Sequence, residues 1–490
     1  MKTVFSILFS LLAWPIVQAN NLQISNLQLD ENELSFEVKW DNAWHLSNST
    51  PRNHDAVWLI FKGLDNDGVW STILLPPEIH VGEMGVALFT VKPNRSGGVI
   101  TPFPEHRGTL SDRFTCDVSS LNLNEFERIS IHAVEMVYVP DGAYYLGDVT
   151  AQKSFYDALT QEPFHVDHAN PISVDSVNGL WAEGINVQGE LAANYPTGFN
   201  GFYLMKYEIS QAQYVHFLNH LTLEQQQSRV STDITNSANR FAFFTGNQVL
   251  NRNGIVIKTH GNQMQGKPAV FALDVNNNGI ENEVDDGQNR ACNFLNFSDV
   301  LAYLDWLGLR PFTEMEFEKA CRGSEFPSPM AFAWGTDDVI DANTVINDGT
   351  ENEGVTESGN DTVGLASHGY LGPQGPLRNG FAAKTSSNRV QSGAGYYGNM
   401  ELSGNLWELI VPISNAGFNF NGEHGDGTLS VTGSHNVANW TGIDGGHRGG
   451  AWNSGVFGAF RDLAISDRFY SNLSAHQRRN TTGGRGALTW

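Results

Sequence analysis

The sequence predicts an α+β chain in two parts: an antiparallel β-sandwich over residues 20–132 and a loop-rich domain of strands and short helices over residues 133–490. Three observations carry that expectation. Residues 20–132 alternate apolar and polar side chains in short runs separated by Pro, Gly, Asn and Asp, the period of half-buried strands. The clear helix starts, each with a capping residue ahead of an apolar stripe, all lie beyond residue 200. At 490 residues the chain is also longer than one ordinary core accommodates.

In chain order, the expected strands of the first part are Leu22 to Leu29, Leu34 to Trp40, Ala56 to Phe61, Val69 to Leu75, Val86 to Val91 and Ile129 to Val134. His45, His54 and His80 are scattered without ligand spacing, so the part reads as a spacer or adhesion surface. The second part opens with a hairpin turning at Pro140-Asp141-Gly142. Gly201 to Ile209 forms a strand that feeds a helix capped by Ser210 and Gln213, with Tyr214, Phe217, Leu218 and Leu221 on one face. Ser298 is expected to cap Val300 to Leu307, Gly308 to Pro311 to stop and restart the chain, and Thr313 with Glu316 to open Glu314–Arg322. A long loop region follows Ala333-Trp334-Gly335 as far as Gly398.

Composition narrows the function classes. Hydrophobic content of 40% and charged content of 17% describe a globular chain, and 50 glycines with 11% aromatics describe loops filled by large side chains. A net charge of −24 repels phosphate backbones and anionic membranes, so nucleic acid is not an expected partner. Residues 1–19 read as a signal peptide, with Lys2, an apolar stretch from Val4 to Val17 and Val17-Gln18-Ala19 as cleavage site. The expected location is therefore secreted, periplasmic or cell-surface, a retained membrane anchor being the alternative. No later stretch reaches membrane-spanning length. The three cysteines are Cys116, Cys292 and Cys321; Cys292 and Cys321 are the best-placed pair, either disulfide-bonded or separate buried thiols.

Two stretches suggest a hard cation. Asp274-Val275-Asn276-Asn277-Asn278-Gly279-Ile280-Glu281-Asn282-Glu283-Val284-Asp285 carries oxygen side chains at positions 1, 3, 5, 9 and 12 and Gly at 6, the ligand order of a twelve-residue calcium loop. Asp274, Asn276, Asn278 and Asp285 are its candidate ligands; an acidic solvated loop is the other reading. In Gly404-Asn405-Leu406-Trp407-Glu408, Asn405 and Glu408 could aim oxygens at one point while Trp407 turns into a core. Either an ion or a bare turn accounts for that pattern.

Six stretches in order together resemble the formylglycine-generating enzyme (sulfatase-modifying factor) family. They are Met136 to Gly142, Lys206 to Tyr214, Leu309 to Gly323, Trp334-Gly335, Ser403 to Glu408 and Arg448-Gly449-Gly450-Ala451-Trp452. The resemblance covers residues 135–490 and implies a C-type-lectin-like, loop-rich α+β fold with calcium fixing the loops. It implies Glu408 as a side-chain calcium ligand, the carbonyls of Gly404 and Leu406, and Glu401 in place of the family's asparagine, with a weaker match at Asn343 and Thr344.

The chemistry of the family is where the chain departs. Active members oxidise a protein cysteine to formylglycine with copper(I) on two cysteines; the resemblance places those positions at Ser454 and Ala459, and the chain has no cysteine beyond Cys321. Copper(I) prefers thiolates, so copper is not expected here. The C-terminal segment instead gathers Arg461, Arg468, His476, Arg478 and Arg479, side chains suited to carboxylates or sugar hydroxyls. The expectation is a secreted, calcium-stabilised, non-oxidase binding or envelope protein with an unidentified protein, peptide or glycan ligand. The alternative is an active enzyme of the family, or another chemistry in the same cleft.

Overall fold

The structure, a computed structural model, describes residues 21–48, 51–92, 96–169, 171–415, 417–455 and 461–489, and of Arg461 only the backbone. The expected signal segment and Ala459 lie outside the described residues. Nine strands come first: β1 (Gln23–Asp30), β2 (Glu33–His45), β3 (Asp55–Asp65), β4 (Trp70–Ile73), β5 (Ile79–Val81), β6 (Ala87–Val91), β7 (Gly97–Pro102), β8 (His106–Asp117) and β9 (Phe126–Val139). β1, β2 and β8 make a three-stranded antiparallel sheet. A larger sheet runs β5-β6-β7-β3-β9 and continues through Phe202–Met205 to Ala487–Leu488, with β4 on β3.

Alternation along β3 explains how these sheets share the chain. Successive side chains of a strand point to opposite faces. Val57, Leu59 and Phe61 join Phe36, Val38, Trp40 and Phe114 of the smaller sheet in one apolar cluster. Ala56, Trp58 and Ile60, on the other face, join Leu301, Leu304 and Leu307 in a different one. Because both faces are covered, Ala56 to Phe61 reads as an unbroken apolar run rather than an alternating one.

The division expected after residue 132 falls inside β9, which pairs with β3 over Phe126 to Val137 and with Phe202–Met205 over Met136 to Val139. One strand therefore belongs to both parts, and the first is not a detached spacer. Polar groups cross the same junction. The Trp58 indole donates to the Leu307 carbonyl at 2.8 Å, the Lys62 ammonium to the Trp306 carbonyl at 2.9 Å, and the Asn53 amide to the Tyr397 carbonyl at 2.6 Å.

The described residues form four α-helices: α1 (Gln211–Leu218), α2 (Leu223–Arg229), α3 (Phe297–Leu307) and α4 (Glu314–Arg322). Ser210 with Gln213 and Thr313 with Glu316 make the expected capping boxes. α3 starts earlier than expected, because Asn296 caps it reciprocally with Asp299 and Ser298 lies in its first turn. α2 was not legible as a helix; its stretch Leu-Glu-Gln-Gln-Gln-Ser-Arg has almost no apolar periodicity, and a Thr222–Gln225 box starts it. Cys116, Cys292 and Cys321 are all free and buried, with Cys292 and Cys321 in different clusters, so no disulfide staples the helices. Among the described residues no helix is long and apolar enough to cross a membrane.

Trp58→Ala removes a fully buried indole and leaves the Leu307 carbonyl at the end of α3 without its donor. We expect a loss of about 3–5 kcal/mol, read from urea unfolding; a loss under about 1 kcal/mol would show that β3 does not couple the two parts.

Candidate functional site

The site is built on the strand Trp407–Ile410, which pairs antiparallel with Gly446–Arg448 and parallel with Thr482–Gly483. The turn before it is set by sterics. Gly404 has φ +95°, and a Cβ there would stand 2.6 Å from the Ser367 carbonyl, so only glycine fits. Glu401 and Asn405 are also left-handed, at φ 54° and 62°, conformations that non-glycine residues hold only when their surroundings fix them. Asn405 is fixed on both ends of its amide, accepting from Leu377 N at 2.8 Å and donating to Glu208 Oε2. Glu208 also accepts from Leu406 N at 2.9 Å.

Three buried carboxylates, Glu208, Glu401 and Glu408, act on one another here. The Arg485 guanidinium donates to Glu408 Oε1 through Nε at 2.6 Å and to the Met400 carbonyl at 2.8 Å. Arg378 also acts on Glu401, and the two guanidinium groups do not cancel the cost of burial. Burial, with repulsion from the neighbouring carboxylates and only partly offset by Arg485 and, for Glu401, by the Gly380 amide and Arg378, raises Glu208 well above the ordinary carboxylate range and Glu401 to about 7; burial also raises Glu408.

Four buried side-chain oxygens around this group have no hydrogen-bond donor: Glu401 Oε2, Glu408 Oε2, Asn379 Oδ1 and Asn399 Oδ1. Local bonds tie their residues to the same place. Gly380 N donates to Glu401 Oε1 at 2.9 Å, the Asn379 amide to the Glu208 carbonyl at 2.7 Å, and the Asn399 amide to the Met205 carbonyl that Arg485 also reaches. Among the described residues no three His, Cys, Asp or Glu side chains converge as a metal group, so the donor set is mixed carboxylate and amide oxygen. An all-oxygen set of that kind suits calcium. Sequence spacing gives Asn379, Asn399 and Glu208 no role here and places Arg485 only within the basic C-terminal segment. The only trace of Asn399 in the sequence is its adjacency to Met400-Glu401.

The second expected cation site is differently arranged. Asp274 is buried and paired with Arg240, and its oxygens accept Asn278 N at 3.1 Å and Gly279 N at 3.0 Å. Asn276 and Asn278 are exposed and accept backbone amides two residues on, and Asp285 is only partly buried. Arg240 supplies the positive charge that Asp274 requires, so the donor set does not fit calcium as the hub does.

A cleft of about 400 Å³ opens beside the strand, and Trp407, His447, Ser454, Asp462, Tyr470 and Arg479 are among its walls. The expectation that Trp407 turns into a core is corrected: its half-buried indole faces the cleft, edge to face with His447 at 6.0 Å and with Tyr470 at 5.3 Å. Burial, with the Arg479 charge, holds His447 down at about 4, so it is neutral near pH 7. Burial raises Asp462 against a hydrogen bond from Ser454, and Asp462 in turn helps raise Tyr470. Arg479 thus acts on His447 and Asp462 on Tyr470, the two rings that meet Trp407.

Of the expected ligand-facing residues, only Arg479 among those whose side chains are described lines this cleft. Arg468 is fully buried, forked onto Glu314 at 2.7 and 2.9 Å, and Arg478 is forked onto Asp299 at 2.7 Å through both bonds. These two correct the expectation: their donors are spent inside the protein. His476 is exposed, 3.6 Å from Asp444. The Arg461 side chain lies outside the described residues.

A loop-rich α+β scaffold with an oxygen-lined hub next to an open aromatic cleft defines the class of protein. Residues 124–454 match the model of the sulfatase-modifying factor enzyme 1-like domain. The chain belongs to that family, the formylglycine-generating (sulfatase-modifying factor) family. No curated protein matches it.

Arg485→Met leaves Glu208 and Glu408 without their buried cation. Breaking such a pair costs about 3–5 kcal/mol, measurable by guanidinium unfolding, whereas a change below about 1 kcal/mol would mean that Arg485 does not hold the hub.

Proposed function

We propose that the protein is a secreted, calcium-stabilised binding member of its family that does not carry out copper-dependent cysteine oxidation. The single observation behind this reading is the pairing of an oxygen-rich hub with a cleft whose described walls hold no thiol: hard-cation donors are present and soft ones are not. Glu401, Glu408, Asn379 and Asn399 would hold calcium, with the Gly404 and Leu406 carbonyls that the family resemblance adds. A divalent ion there would offset the surplus of buried carboxylate and pin the turn that presents Trp407.

In this reading the smaller sheet and the β3 sheet form a β-sandwich against a C-type-lectin-like domain. The ligand enters the Trp407 cleft, whose walls combine aromatic rings with a carboxylate and a guanidinium. Such walls suit a polar ligand with hydrogen-bonding groups of both signs, a peptide or a glycan. A second reading, an enzyme in the same cleft, draws on the raised carboxyl of Asp462 and its bond from Ser454. A cysteine-containing sulfatase peptide, incubated with copper and oxygen and examined by mass spectrometry, separates the readings: unmodified cysteine is expected, and aldehyde would overturn the binding assignment.

Calcium at 100 times its dissociation constant stabilises by about 2.7 kcal/mol. Chelator should therefore lower the melting midpoint of the wild type and leave Glu408→Gln nearly unchanged. An unchanged wild-type midpoint, with no calcium by elemental analysis, would remove calcium from the proposal. Trp407→Ala should weaken any peptide or glycan found by array screening at least about 10-fold, as expected for an aromatic anchor.

A further inference from the structure

The hub and the cleft leave a group of histidines unaccounted for, at the junction of the two parts. His132 comes from β9, His216 from α1 and His220 from the turn after it. The His132 and His216 rings are nearly parallel, 9° apart, with centroids 4.8 Å apart and Nδ1 atoms 2.6 Å apart. Stacked rings cannot bring atoms closer than about 3.4 Å, so these two meet edge to edge in an N–H···N hydrogen bond. Their other nitrogens are engaged too: His132 Nε2 is 2.9 Å from the Tyr303 hydroxyl of α3, and His216 Nε2 is 3.2 Å from Ser130 Oγ of β9. The four groups form a continuous hydrogen-bonded chain from α3 through β9 and α1 and back to β9. With every member neutral, the donors can all point toward Ser130 or all toward Tyr303, and each bond is satisfied either way.

We propose that this chain is an acid-sensitive latch between β9 and α1, closed while both imidazoles are neutral, weakened when either takes a proton and opened when both do. An imidazolium has two N–H donors and no acceptor. The Nδ1 contact survives one added proton only if the partner ring is the acceptor there; the Tyr303 or Ser130 hydroxyl facing the new N–H then has to turn from donor to acceptor. A second proton sets two N–H groups head to head.

The surroundings oppose the added charge. From β3, Lys62 acts on His132 and His220, its ammonium 4.7 Å over the Trp306 ring. From β4, Trp70 packs on His220 at 4.1 Å, with the Arg128 guanidinium of β9 over that indole at 5.0 Å. From α3, Trp306 meets His132 edge to face at 5.0 Å. His220 donates through Nδ1 to the His216 carbonyl, 2.7 Å away, and its buried Nε2 has no hydrogen-bond partner. The nearby carboxylates, Asp305 and Asp426, face Lys62.

Burial first, then the other histidine or Lys62, holds His132 and His220 well below the ordinary range; burial takes His216 to about 4. A histidine depressed in the folded state contributes stability that is complete above its unfolded value of 6.5 and is lost as pH falls from there to the folded value. For His216 alone that interval corresponds to about a 300-fold change in the folding constant.

The experiment compares melting midpoints of the full chain and the double variant His132→Gln, His216→Gln from pH 7.5 to 4.5. The wild-type midpoint should fall from about pH 6.5 downward, and the variant, which keeps the other depressed histidines such as His447 and His220, should lose less; equal losses would overturn the latch. A folded variant is not essential, because wild-type protein with 15N-labelled histidine rings gives an independent reading. One Nδ1 protonated and its partner bare at pH 7, with both rings neutral at pH 6, is the expected pattern. An imidazolium at either ring at pH 6 would overturn the proposal. Hydrogen exchange on acidification should rise in β9 and α1 before it rises in β1, β2 and β8, and a uniform rise would speak against a local latch.

Discussion

A chain with few regular elements after residue 140 has to find partners for its buried backbone groups elsewhere, and guanidinium groups supply them. Arg310, Arg448, Arg468 and Arg485 are among the largest fully buried side chains. Each anchors a carboxylate and donates further to a carbonyl or hydroxyl. A buried polar group without a partner costs about as much as a lost hydrogen bond, and a planar fork of five donors meets several at once. Glu314 shows the economy of the arrangement. It receives Arg468 and Arg448, and its Oε1 also accepts Ile413 N at 2.7 Å, so one carboxylate joins α4 to three separated segments.

That constraint explains what was legible in the sequence. The strands of the first part and the capping boxes of α1 and α4 depend on local spacing, and spacing survives in a sequence. The roles of the C-terminal arginines depend on carboxylates far away along the chain, Arg468 on Glu314 and Arg478 on Asp299, and no local pattern carries that. A cluster of Arg, His and Asn looks the same whether its donors face a ligand or a loop. Trp407 was misjudged for a related reason: an aromatic between Leu406 and Glu408 suggests a core, but the strand it occupies has a neighbour on each edge and a cleft over one face. The hub was half visible, through Glu401 and Glu408 in one stretch. Glu208, Asn379 and Arg485 reach it from distant parts of the chain and were not.

The hub and the cleft are adjacent but answer to different chemistry. Hub donors are oxygens, held by a turn in which Gly404 has no room for a Cβ and Asn405 is clamped at both ends. Cleft walls are rings, hydroxyls and one charge of each sign. The two meet at one strand, since Glu408 of the hub follows Trp407 of the cleft directly in Trp407–Ile410.

The first part of the chain is not free to act as a separate module, and this bears on how the cleft is held. β3 has an apolar cluster on each face, so removing either cluster exposes half of its side chains to water. β9 carries the coupling further, because its last four residues pair with Phe202–Met205, whose Tyr203 and Leu204 pair in turn with Leu488 and Ala487. Ala487 also bridges to Arg310, at the restart between α3 and α4. A disturbance at the histidine chain on β9 thus has a short covalent and hydrogen-bonded route to Arg485 and the hub. The route is contiguous: paired strands as far as Ala487, then Gly486 alone between Ala487 and Arg485.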